Sequence, residues 1–124
     1  MTKPTPGEQR KINNFVRKYA NHFFKYHLNH IIPTGTSPEH LAMVSEICQH
    51  LYFKGIPYIT EFKMRSGVTP DIVLPTHVKR IIEVLHSETI DDFNLKKRMK
   101  YPAELNNDFI FISTAKKFHP DMIQ

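Results

Sequence analysis

The sequence predicts an α/β domain, and three observations carry that prediction. Apolar residues recur at spacings of three and four near the start of the chain; past Gly55 the texture changes to runs of branched and aromatic residues; and a basic helical stretch separates the third such run from the last, DFIFIST. From residue 38 the predicted order is α-β-β-β-α-β, preceded by one extra amphipathic helix. With 124 residues, 40% of them hydrophobic and 23% charged, the composition is that of one compact domain. A chain of this length buries roughly 65% of its unfolded surface, enough for one core without disulfides or metal. The division expected is an N-terminal helical extension over 1–34, a core over 38–114 and a tail over 115–124.

The first helix is read from Gly7 to Ile31, on Ile12, Phe15, Val16, Tyr19, Phe23 and Tyr26. Its aromatic surface exceeds what a peripheral helix needs, so it either covers the sheet or forms the two-fold interface of a homodimer. Pro33, Gly35 and Pro38 break it, and Ser37-Pro38-Glu39 supplies an N-cap, a first-turn proline and an early acid for the second helix. That helix carries Leu41, Val44, Ile47, Cys48 and Leu51 as its apolar stripe and stops at Gly55. IPYITEFKM reads as a first strand, DIVLP as a second and RIIEVLHS as a third, with the short PTHVK connection implying a hairpin. Thr89 to about Leu105 reads as a helix, and DFIFIST as a strand buried on both faces.

The longest apolar stretch falls well short of the ~20 residues of a membrane span, and MTKPTPGEQRK is unlike a signal peptide. One cysteine, Cys48, on an apolar stripe suits a packed thiol in a reducing compartment, so a cytoplasmic location without a membrane partner is expected. The formal net charge of +5 favours an anionic partner, with nucleic acid placed first. No phosphate-cradling glycine loop and no Gly-x-Ser-x-Gly elbow occurs, which leaves kinase, ATPase and serine-hydrolase chemistry without support. The eight histidines, including His27 and His30 three apart, lack the frame of a structural zinc site.

Chemistry concentrates in TPDIVLPTHVKRIIEVLHSE, where Asp71 opens one strand and Glu83 lies midway along the next. Adjacent strands bring these carboxylates together. A carboxylate within RIIEVL is costly to bury alone, so a cation, a lysine or solvent must stand near it. Hard divalent ions such as Mg²⁺ take oxygen ligands of this kind.

Pro70-Asp71 with Ile72-Val73, the second acid Glu83 and the α-β-β-β-α-β order together resemble the PD-(D/E)XK nuclease superfamily, the restriction-endonuclease-like fold that includes archaeal Holliday junction resolvases. The resemblance covers about residues 38 to 114. It implies a mixed central sheet flanked by helices, and a metal-dependent DNA endonuclease in which Asp71 and Glu83 hold Mg²⁺ or Mn²⁺. It also implies a helical acid, Glu46 or Glu39 with Glu46 favoured, and a lysine that helps activate water. The sequence departs from the motif at one place, because Leu85 stands where that lysine is expected. Lys63, two residues after Glu61 on the neighbouring strand, is the favoured replacement, with Lys79, Lys96 and Lys97 as further options. Lys96, Lys97, Arg98, Lys100 and Tyr101 are expected to meet nucleic acid, whose phosphates the carboxylates would otherwise repel. The competing expectation is a fold of this kind without catalysis, acting as a nucleic-acid-binding or scaffold subunit.

Overall fold

The computed structural model describes residues 3–31 and 37–123, so the breakers Pro33 and Gly35 lie outside the described residues. Helix α1 spans Pro6–Tyr19 and α2 Pro38–Lys54; strands β1 (Ile59–Thr60), β2 (Ile72–Val73) and β3 (Ile81–Leu85) follow; then come α3 (Ile90–Lys96), two 3₁₀ turns (Arg98–Lys100 and Ala103–Leu105) and β4 (Phe109–Ser113). The sheet order is β1-β2-β3-β4, antiparallel up to β3 and parallel between β3 and β4. The protein is therefore a mixed α/β fold, and from α2 onward its order is the one the sequence predicts. The β2–β3 hairpin forms as expected, closed by Leu74 N–H donating to the Arg80 carbonyl at 2.8 Å.

Strand alternation divides the core. On one face, Val73, Ile81 and Leu85 meet Phe15 and Tyr19 of α1 and Phe93 of α3. On the other, Ile72, Ile82 and Val84 meet Met43, Ile47 and Leu51 of α2. Phe15 and Tyr19 thus cover the sheet, one of the two roles expected of the first helix. Cys48 is buried beneath α2, and burial pushes its thiol up to about 12.

The first helix is shorter than predicted. It ends at Tyr19, because the last carbonyls find partners outside the helix: Arg65 donates to the carbonyls of Arg17, Tyr19 and Ala20. Asn21 N–H then bonds the Lys63 carbonyl at 2.8 Å, and residues 21–31 run as an irregular strap beside β1. Asn29, at φ 60°, receives the Tyr58 N–H on its Oδ1, and the Thr60 hydroxyl donates to the His30 carbonyl at 2.7 Å. These bonds cover the outer edge of a short strand that would otherwise present bare backbone. Phe23, expected on the helix, is instead 94% exposed in the strap.

The last predicted helix is also shorter. Its α-helical part stops at Lys96, and two 3₁₀ turns carry the chain to Leu105, separated at Pro102, which supplies no N–H to continue a ladder. β1 and β2 are two residues each rather than full strands.

Candidate active site

The β registers build the site. Thr60 faces Ile72 and Ile72 faces Ile82; one step further along both pairings, Glu61 comes opposite Asp71 and Asp71 opposite Glu83. Asp71 and Glu83 thus lie side by side, and Glu61, which turns out of the strand at φ 53°, stays near enough to feel the Asp71 charge. Asp71 Oδ2 accepts the Val84 N–H at 2.8 Å, which locks it beside β3, and Asp71 Oδ1 lies 3.1 Å from His40 Nε2 in the first turn of α2. Glu83 is 5% exposed and accepts a hydrogen bond from the Tyr101 hydroxyl at the end of the first 3₁₀ turn.

Asp71, Glu83, His40 and Tyr101 line an open cavity of about 640 Å³, with Lys97 and Lys100 on its wall. Lys97 Nζ lies 3.2 Å from Glu88 Oε1, also in the lining. His86 contributes from the end of β3, anchored by its Nδ1 to Thr114 Oγ1 at 2.7 Å.

Burial and the neighbouring Asp71 carboxylate hold the Glu83 carboxyl well above the usual carboxylate range; the Tyr101 hydroxyl and the Lys97 charge oppose that shift without cancelling it. Burial, and then Asp71, raise Glu61 in the same way. Hydrogen bonding to Asp71 raises His40 against the opposing effect of burial. Burial and Glu83 raise Tyr101, which keeps its proton and acts as the donor. The site therefore brings carboxyl groups together where burial and mutual repulsion disfavour the ionisation of Glu83 and Glu61. Asp71 and Glu83 offer hard oxygen donors, and a divalent cation between them would relieve the repulsion that raises Glu83. Among the described residues, no group of three or more His, Cys, Asp or Glu stands in ligand geometry for a metal ion. Mg²⁺ commonly takes only one or two carboxylates and fills its remaining positions with water and substrate phosphate, and a two-carboxylate site fits that habit.

The other candidates are dispersed. Glu46 is exposed on α2 and does not line the cavity. Glu39 is nearer, its Oε2 4.0 Å from His86 Nε2, although it too is absent from the lining. Lys63 is exposed beyond β1 and outside the cavity, because Glu61 at φ 53° breaks the alternation on which a shared face depends. Lys79 lies in the β2–β3 turn, also outside the lining. Of Lys63, Lys79, Lys96 and Lys97, only Lys97 lines the cavity. Leu85 is 5% exposed in the core with Phe93 and Leu105, an environment hostile to an ammonium group.

The basic segment splits as well. Lys96 and Lys100 are exposed. Arg98 lays its guanidinium over the Phe109 ring, 5.0 Å from the centroid, with its Nε enclosed. Tyr101, expected to meet nucleic acid, is buried, with its ring against Phe109 and its hydroxyl on Glu83. Sequence reasoning missed His40 and Glu61. The strand register was the signal for Glu61, once β1 and β2 are paired; His40 carried no signal, because its contact with Asp71 depends on how α2 lies on the sheet. Comparison with protein-family models, curated proteins and solved structures gives no match for this chain.

Proposed function

We propose that the cavity is a metal-dependent nuclease site that hydrolyses phosphodiester bonds in DNA, on a restriction-endonuclease-like core. The observation that carries the reading is the placement of Asp71 beside Glu83 in one open cavity with Lys97 and Lys100. A pure scaffold gains nothing from burying Glu83 next to a second carboxylate, whose repulsion costs stability. Asp71 and Glu83 would hold Mg²⁺ or Mn²⁺. Such an ion polarises a phosphoryl oxygen and lowers the pKa of bound water.

The chain's own residues have separable roles. His40 and the Val84 N–H fix Asp71, and Tyr101 fixes Glu83 by hydrogen bonding to one of its oxygens. Lys97, whose charge acts on Glu83, takes the place of the missing motif lysine, and Lys100 adds positive charge for the incoming phosphate. Incubation of labelled linear, single-stranded and four-way-junction DNA with Mg²⁺, Mn²⁺ or chelator tests the reading. Metal-dependent cleavage that is lost in Asp71→Ala and Glu83→Ala, and reduced about a hundredfold or more in Lys97→Ala, is expected.

A second reading is a nuclease fold that binds nucleic acid without cutting it. The observation in its favour is that His40 and Tyr101 already occupy oxygens of the two acids, while Leu85 fills the motif position with core. DNA binding with no cleavage under any metal condition would select it.

A further inference from the structure

Between Asn94 and Tyr101 the chain reads NLKKRMKY, four cations and no acid, and this stretch forms one wall of the carboxylate cavity through Lys97, Lys100 and Tyr101. One side of the segment is anchored: Phe93 is fully buried, with its ring centroid 5.1 Å from that of Phe111 and 5.3 Å from that of Phe109. The other side is bare. Leu95 is 80% exposed and Met99 90% exposed, four residues apart, with Lys96 and Lys100 beside them at the same spacing. The α-helix ends at Lys96 and a 3₁₀ turn follows over Arg98–Lys100, with Lys97 N–H donating to the Phe93 carbonyl at 2.8 Å and Lys100 N–H to the Lys97 carbonyl at 3.0 Å across the junction. Two large apolar side chains are thus exposed among cations, where they gain nothing from water.

Charge complementarity decides the occupant. An acid-free run of lysines repels a second copy of itself but matches a phosphate backbone, and a flexible apolar side chain between phosphate-binding cations suits insertion beside an unstacked base. We propose that Leu95 and Met99 form an apolar wedge that occupies an opened base step in DNA, with Lys96 and Lys100 on the flanking phosphates, and so directs the carboxylate cavity to locally unpaired duplex. The inference deepens the nuclease reading and rests on its assignment of nucleic acid to this cavity. Binding measured without metal keeps the two apart.

The test is fluorescence anisotropy in chelator, with the full chain and a labelled duplex of about 30 base pairs, fully paired or carrying a central mismatch bubble of about two nucleotides. The wild type is expected to bind the bubbled duplex about fivefold more tightly or better. Leu95→Ser/Met99→Ser should bring that ratio close to one while leaving affinity for the paired duplex within about twofold. Lys96→Ala/Lys100→Ala should weaken both duplexes alike and lower the salt slope by about two. Leu95→Ser alone, at an exposed position, serves if the double variant folds poorly. Equal wild-type affinity for the two duplexes, or a ratio unchanged in the serine variant, overturns the wedge. So does a wild-type dimer in sedimentation that the serine variant dissolves, since a second copy would then cover the patch. Cleavage without bubble preference refutes the wedge and leaves the nuclease standing; bubble preference without cleavage does the reverse.

Discussion

Glu83 is the residue at which stability and the proposed chemistry oppose each other. It is held in the core face beside Asp71 with Tyr101 as donor, and burial and Asp71 favour its protonated form. A carboxyl raised in the folded state contributes stability that is complete below its unfolded pKa, ordinarily 4.5, and is lost as pH rises through its folded value. His40, raised by Asp71, contributes with the same sign, from its ordinary 6.5 upward. Wild-type stability should therefore fall as pH rises from 4.5, with the His40 contribution added above 6.5. Glu83→Gln should flatten that fall and raise Tm near neutrality by about 4 °C, while abolishing cleavage; thermal melts across the pH range measure both. A Tm that drops at every pH would show that the carboxylate is stabilised where it lies. Saturating Mg²⁺ should raise the wild-type Tm and leave Asp71→Ala unmoved, because a cation bound only to the folded site stabilises by mass action. Leu85→Lys should destabilise by about 3 kcal/mol in urea titrations and add nothing to the proposed cleavage, since the position lies among Phe93 and Leu105.

The elements that place these residues are short and held by local devices. α2 begins at Ser37, whose hydroxyl accepts the His40 N–H at 3.2 Å, so the cap that starts the helix also sets the histidine that reaches Asp71. It ends at Gly55, at φ 72°, where an added Cβ would meet no atom within 4 Å. The cost of Gly55→Ala is thus conformational alone and should be about 1 kcal/mol, read as a shift in urea midpoint at unchanged slope. α3 begins with a reciprocal cap between Thr89 and Asp92 and is tied down by Phe93. Phe93→Ala should cost about 3 to 5 kcal/mol and loosen Lys97 and Tyr101 together, so that hydrogen exchange increases over 93–101 before the rest of the chain opens. At φ 53°, Glu61 ends β1 in a conformation that non-glycine residues rarely adopt, and so turns Lys63 away from the cavity.

At the scale of the whole molecule, the sheet separates the two cores and its registers assemble the site. Apolar periodicity, β-branched runs and the Ser37, Pro38 and Gly55 punctuation sufficed for the α-β-β-β-α-β order, because these signals are local and each element buries one face whatever its neighbours are. The same locality made Asp71 and Glu83 legible as partners, since a short hairpin leaves little freedom in register. Three features depended on contacts between distant parts of the chain. The first helix stops at Tyr19 because Arg65, 46 residues later, donates to its last carbonyls, a tertiary competition that periodicity within 7–31 cannot express. Lys97 rather than Lys63 reaches the cavity because α3 lies over β3 and β4 while the chain turns after β1. His40 meets Asp71 because helix α2 packs across Ile72 and Ile82. The sequence by itself determined the class of fold, the order of its elements and the two central acids. Only the tertiary structure decided which cations and which hydrogen-bond donors surround those acids, because side chains far apart in the chain become neighbours through packing, which hydrophobic burial drives without regard to sequence distance.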